Sequence, residues 1–457
     1  MSPEAKPTDV APPRLDAAQV AGRGGIAVLG AKVFFLIVGF VQQPLLRLAV
    51  GIGDFGGLAQ ALVVANTVNN VVIASGTQGV SRAVAGAPGH EPDALRAAMR
   101  VHVPIAVLVA AAMAVAAPAY ASFEHAEDVV APLLVLAMVA LLYGLYAPVI
   151  GYLNGSKLFG RQAALDVTFA ILRTVGLVGV GYAFVTRGLS GVLGTTVGWV
   201  AAAACIVPLA ARSTGLHRVL VPETTRSSAI GAVPTSRAYL SMLLPIAGAQ
   251  LCTSVLLQID IALLGRFLSQ SAATALAGGA QREAVKSFIA IYKECQTFAF
   301  LPYQLLFSVT LVLFPMLARA RAEKDEASVR AFVLRGARLA ALFGGLLVGV
   351  IVALPESMLS FAYGQADAAR GADVLRVMAL GEGAFAMLGI ATTVLTSLGR
   401  ERTAAVLTLG AVLAVTAACC ALVPGATFGH EQLVRSALAT AVALVLALGI
   451  AGAVVRS

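Results

Sequence analysis

Twelve times along its 457 residues the chain runs through some twenty mainly apolar residues and then breaks at a short polar gap. A run of that length as a helix matches the hydrocarbon thickness of a bilayer, about 30 Å. A strand would need only half as many residues, and lipid satisfies no backbone hydrogen bond, so each run is predicted to be a transmembrane helix. With 59% apolar and 12% charged residues, the composition lies outside the usual range of soluble domains, roughly 45–50% and about 25%. The runs fall near 25–49, 56–81, 101–121, 129–153, 164–186 and 189–211, then near 238–265, 297–318, 336–355, 373–397, 403–423 and 433–455.

This divides the chain into a tail, 1–22, with four prolines and several charges and no cleavable-signal pattern; an N-lobe, 23–211; a polar linker, 212–236; and a C-lobe, 237–457. Of the 32 basic residues, 21 fall in the segments that are cytosolic if both ends are inside, seven in the outer segments and four within spans. That bias predicts cytosolic termini and an even helix count. The net charge of +9 is scattered through these gaps instead of gathered in one patch, which sets topology and gives no nucleic-acid footprint. The halves also look like copies. Arg82, Arg100 and Gly160-Arg161 in the first have near-constant offsets to Arg319, Arg338 and Gly399-Arg400 in the second. Both halves start inside, so the repeats are parallel, about an axis along the membrane normal, with substrate expected between them. The second half carries an insertion at 268–296, expected as an amphipathic outer helix.

Charges inside a span cost about 2.5–3.5 kcal/mol each on insertion scales, so a retained one faces a cavity or a partner. In the first helix Lys32, Gly39, Gln43 and Arg47 lie within about 80° of each other, a cationic stripe that would attract phosphate; Arg47, near the outer end, could equally snorkel to the headgroups. The second helix presents Asn66, Asn70, Thr77 and Ser81 on one face, with Asn69 beside it, groups that bond sugar hydroxyls or glue helices together. Asp166 and Arg173 share a face of the fifth helix but lie too far apart to touch, so each calls for a partner elsewhere. Asp260 and Glu382 are acids enclosed by apolar sequence; such groups hold a coupling proton or sodium ion, or form structural pairs such as Asp260 with Arg266 and Glu382 with Arg376. The outer cluster Glu124, Glu127 and Asp128 reads as a solvated turn. Five cysteines without CxxC or Cys/His spacing imply neither disulfides nor a metal site. No HExxH, GxSxG or P-loop motif occurs, so no catalytic residue, metal or cofactor is expected.

The ordered set IGDFGGLAQAL after the first helix, SGTQGVSRAVA closing the second, GYLNGSKLFGRQAA after the fourth, QIDIALLGRFLS ending the seventh, VLFPMLARA closing the eighth and VLTSLGRERTAA after the tenth resembles the multidrug, oligosaccharidyl-lipid and polysaccharide (MOP) flippase superfamily. The polysaccharide and lipid-linked-oligosaccharide branch is the nearer match. The resemblance implies an all-α, twelve-helix polytopic protein of the bacterial inner membrane, with two parallel six-helix lobes around a central cavity. It also implies alternating access and movement of an undecaprenyl-(pyro)phosphate-linked oligosaccharide, with Lys32, Arg47 and Arg173 as the cavity cations. The implied partners are that lipid-linked oligosaccharide, membrane lipids, a coupling proton or sodium ion and glycan polymerases; the chain is expected to act as a monomer. A proton- or sodium-coupled drug exporter, and a non-transporting scaffold on the same fold, are the competing expectations.

Overall fold

The computed structural model describes residues 17–215, 233–276, 280–306, 317 and 325–456. These residues are helical almost throughout. The helices are α1 (Ala17–Ala85), α2 (Glu91–Glu124), α3 (Val130–Gly155), α4 (Phe159–Val185), α5 (Gly191–Thr214), α6 (Ser236–Leu256), α7 (Ile259–Ala275), α8 (Ala280–Ala299), α9 (Glu326–Ala353), α10 (Pro355–Tyr363), α11 (Gln365–Ser397), α12 (Glu401–Leu422) and α13 (His430–Arg456). A 3-10 turn, Glu127–Val129, joins α2 to α3.

Ten of these are long and apolar enough to cross a membrane. The number is compatible with twelve passes, because α1 contains two. At ~1.5 Å per residue its 69 residues are far longer than one bilayer. The break is Gly51, whose φ of 82° and ψ of 169° lie in a region open to glycine and closed to most other residues. One pass, α6 and α7, is interrupted at Leu257–Gln258. Another begins with α8. The insertion at 268–296 is therefore no separate surface helix: its first part completes α7, and α8 buries Val285, Ile289–Tyr292 and Glu294–Ala299. The predicted eighth span, starting near 297, begins instead at Ala280. Helix α1 takes in the last residues of the predicted tail; residues 1–16 and most of the predicted linker, 216–232, lie outside the described residues, as do 307–316 and 318 of the predicted eighth span.

Two apolar cores hold the helices. Leu46, Phe55, Leu133, Leu153, Phe169, Trp199 and Ile206 centre an N-terminal bundle of α1–α5. Leu264, Tyr292, Leu375, Met378, Phe385 and Leu433 centre a C-terminal bundle of α7, α8 and α11–α13. The cores trade residues where α1 meets α8, for Ala290 packs into the first and Ala59 and Val63 into the second. The backbones approach closely there. A Cβ added to Gly56 would sit 1.9 Å from the Lys286 carbonyl oxygen, so the GDFGG stretch reads physically as a place where only glycine lets the two bundles meet. A second seam joins the C-terminal end of α1 to α6. Val80, Val84, Leu95 and Ala98 cover Tyr239 and Leu243, and His102 Nε2 lies 2.6 Å from Tyr239 Oη.

Candidate transport site

Among the described residues, three groups of charged side chains within the membrane-spanning region bear on transport. The first crosses the α1–α8 seam near its outer end, in the orientation set by the basic residues. Arg47 places Nε 2.8 Å from Glu294 Oε1 and Nη2 2.7 Å from Asp367 Oδ2. The guanidinium fork thus spans the bundles with one carboxylate on α8 and one on α11, a geometry that a lysine could not match. Arg47 does not snorkel: its side chain is 20% exposed, and that of Glu294 only 1%. Farther out, Asp128 in the 3-10 turn receives Arg282 at 2.8 Å and Lys286 at 2.7 Å. Arg266 of α7 donates to the Phe123 carbonyl at 3.1 Å and stacks on that ring.

The second group lies inside the N-terminal bundle. Lys32 Nζ sits 2.9 Å from Asp166 Oδ2, with the lysine side chain 45% exposed and the carboxylate nearly enclosed. The cation in the predicted stripe therefore carries its own counter-ion. Arg173 turns into the bundle. It lies over the rings of Phe35 at 4.8 Å and Trp199 at 6.0 Å, and reaches Gln42 Oε1 at 3.4 Å. Trp199 Nε1 donates to Tyr143 Oη at 2.6 Å, and Thr174 to Gln42 at 3.0 Å. Gln42 is the amide bound to the cation; Gln43, a member of the predicted stripe, is half-buried on the neighbouring face. Along the second pass Asn66 and Thr77 are half-buried, Asn70 and Gln78 exposed, and Asn69 is buried with neither amide atom bonded.

The third group fills the C-terminal bundle. Asp260 Oδ2 accepts from Tyr292 Oη at 2.8 Å and Oδ1 from the Ile261 amide at 2.8 Å. Lys293 donates to Gln296 Oε1 at 2.7 Å and lies within electrostatic reach of both Asp260 and Glu382. Glu382 is buried, with Oε2 unbonded. Arg266 and Arg376, offered by sequence as structural partners for these acids, bond elsewhere: Arg376 goes to Asp373 at 2.8 Å.

Lys32, Asn66 and Asn70 thus lie on the two passes of α1, whereas Asp260 and Glu382 lie on α7 and α11 of the other bundle. Arg47 is drawn away from the other N-terminal cations onto acids of the opposite bundle. Sequence reasoning missed Lys293, Glu294 and Asp367 because both stretches fell outside the predicted spans, 268–296 as an amphipathic outer helix and the start of α11 as an outer segment. The usable signal was the amphipathic pattern of 280–299, whose strip of apolar residues needed something to pack on. It also misread Glu124. Glu127 and Asp128 are exposed as expected of a solvated turn, but Glu124 is 0% exposed, because α7 packs over it.

The chain matches the family described as "Polysaccharide biosynthesis protein" over residues 46–369, most of its length. None of the curated proteins matches it. Among solved structures it is similar to an inward-facing multidrug resistance MATE family transporter of the MOP superfamily, at 14% identity and a TM-score of 0.69, covering 94% of this chain and 98% of that one. The outward-facing form of such a transporter gives 16% identity, a TM-score of 0.65 and coverage of 97% and 99%. A MOP superfamily transporter from Pyrococcus furiosus with a binding pocket of reverse polarity gives 16%, 0.64 and 97% of each chain. At these identities the likeness concerns the fold.

Proposed function

Because this chain belongs to the polysaccharide biosynthesis protein family and has the fold of the MOP transporters, and is thus a multi-pass membrane transporter and no enzyme, we propose that it carries an undecaprenyl-(pyro)phosphate-linked oligosaccharide from the cytosolic to the outer leaflet of the bacterial inner membrane. The observation that carries this reading is the polar face of the second pass. Asn70 sits within two residues of the midpoint of the 56–81 run and is exposed, with Gln78 exposed two turns below it. An amide with no hydrogen-bond partner costs roughly 2–7 kcal/mol in an apolar medium, so an exposed one at mid-membrane depth belongs against water or a polar substrate. Lys32 is exposed on the adjoining pass. A cleft with amides for sugar hydroxyls and a cation for phosphate would shelter the head group while the lipid tail stays in the bilayer. The two lobes, 23–211 and 237–457, would rock about the seams, with both termini cytosolic and the seam at Arg47 closing the outer side.

A second reading, a proton- or sodium-coupled drug exporter, is favoured by the buried acids Asp260 and Glu382. Lys293 weakens it, since an internal cation already offsets one of the two charges. The same cluster would, under the first reading, be where a driving ion acts. Proteoliposomes carrying a fluorescent lipid-linked sugar separate the two. Gradient- or potential-dependent exposure of the label to a membrane-impermeant quencher is expected; dye efflux on a proton or sodium gradient with no movement of the lipid-linked sugar would overturn the proposal.

A further inference from the structure

Glu124 is a carboxylic acid that forms no salt bridge among the described residues, in a position that transport of a lipid-linked sugar does not require. It is the last residue of α2 and is fully buried. One oxygen meets Tyr120 Oη; the other lies 2.6 Å from Gln60 Nε2 on α1. Tyr120 Oη is also 3.2 Å from the Gln60 carbonyl. The wall on the far side belongs to the other bundle: a Cβ added to Gly265 of α7 would come 2.8 Å from Glu124 Oε2 and 3.2 Å from Gln60 Nε2. The pocket exists only while the outer seam is shut.

The charged groups around it make their bonds with other partners. On α8, Arg282 is the cation within electrostatic reach; its Nε and Nη2 meet Asp128, which Lys286 also bonds, and its Nη1 is buried without a hydrogen bond. Glu283 of α8 faces Gly53. On α7, Arg266 is stacked on Phe123. On α1, Asp54 accepts from the Gly191 amide at 2.7 Å. His125 and Glu127, which follow Glu124, are exposed. Three features then disfavour a charge on this carboxylate. It is dehydrated, it lies at the negative end of a helix dipole, and its cluster holds more acceptors than donors, since Gln60 Oε1 is also buried without a donor. A proton on Glu124 corrects that count. With the Gln60 amide turned over, its carboxyl O–H donates to the orphaned oxygen.

We propose that Glu124 is a proton-binding site at the outer seam, filled from the outer water, and that the seam closes on its protonated form. Closing the seam transfers one proton from water to the carboxylate. Opening withdraws Gly265, hydrates the group and returns the proton to the same side. The outer pH thereby sets how readily the outer face reopens, without any proton crossing the membrane.

The test is a distance across the outer seam. Nitroxides are placed on exposed positions of the two bundles by Ser122→Cys and Thr274→Cys, with Cys205, Cys252 and Cys420 replaced by Ala, and pulsed electron resonance is recorded in proteoliposomes as the outer pH rises from about 5 to about 9. The closed, short-distance population is expected to fall with rising pH in the parent. It should stay high and flat in Glu124→Gln, whose amide is neutral throughout. Tyr120→Phe, which removes a donor to the carboxylate, should move the midpoint up by about one to two pH units. Gly265→Ala should lower the closed population at every pH. A parent population that does not respond to pH, or a Glu124→Gln curve that overlays the parent's, overturns the proposal; if Glu124→Gln does not fold, an unmoved midpoint in Tyr120→Phe does the same.

Discussion

Arg47→Ala strands two buried carboxylates. In the closed seam Glu294, 1% exposed, and Asp367, 8% exposed, share one guanidinium. Removing one partner of a buried ion pair costs about 3–5 kcal/mol, because what remains is an uncompensated charge and not merely a lost attraction. The 20% exposure of Arg47 and the nearby Arg370 argue for the low end. The cost falls on the closed seam alone, since an open one hydrates both acids. About 3 kcal/mol moves the open–closed equilibrium by a factor of about 150. The pulsed-distance assay across the outer ends of α2 and α7 should therefore show Arg47→Ala shifted strongly to the open distance. Arg47→Ala combined with Glu294→Gln and Asp367→Asn, which leaves no buried charge, should return much of the closed population. If Arg47→Ala keeps the parent distribution, the triad is not closing the seam, and Arg47 is better read as a substrate ligand only.

Lys32→Ala should slow translocation of the labelled lipid-linked sugar while folded protein is retained, and adding Asp166→Asn should recover stability in a detergent melting curve but not transport. Gly56→Val drives a side chain into the Lys286 carbonyl, so it should widen the outer seam or lower stability by about 1–3 kcal/mol, read as a shift in Tm. Trp199 is the sole tryptophan and lies beside Arg173; its emission should change on titration with undecaprenyl phosphate, and Arg173→Ala should abolish that change.

What the sequence made legible was what depends on local pattern. Run length and the needs of a backbone in lipid gave an all-helical polytopic chain, and the motifs from IGDFGGLAQAL to VLTSLGRERTAA pointed to the superfamily that the family match and the fold bear out. The errors came where two bundles touch. Hydropathy placed the start of the eighth span near 297 because α8 carries Arg282, Glu283, Lys286, Lys293 and Glu294; of these Arg282, Lys286 and Glu294 are paired across a seam no single helix reveals, and Lys293 bonds Gln296 one turn on. Glu124 looked like its neighbours Glu127 and Asp128, and only the landing of Gly265 on it sets it apart. Glycines 53, 56 and 57 stand out in the sequence only as part of the IGDFGGLAQAL motif, whereas the close approach of Lys286 to Gly56 shows a contact between bundles.

The pairing of charges also limits when each cation can act. Lys32 and Arg173 have all their described bonds within the N-terminal bundle, so their surroundings need not change as the bundles separate. Arg47 is bound by the opposite bundle, and a phosphate reaching it with the seam closed would have to displace two carboxylates already in hydrogen-bonding range. Its charge becomes available only when α8 and α11 move away, which is also when Glu294 and Asp367 gain water. An anion that binds Arg47 must then favour the open seam by as much as its affinity for the two states differs. A lipid-linked pyrophosphate held first near Lys32 and then near Arg47 would hold the outer face open until it leaves, and its departure would let the two carboxylates recapture Arg47 and close the seam behind it.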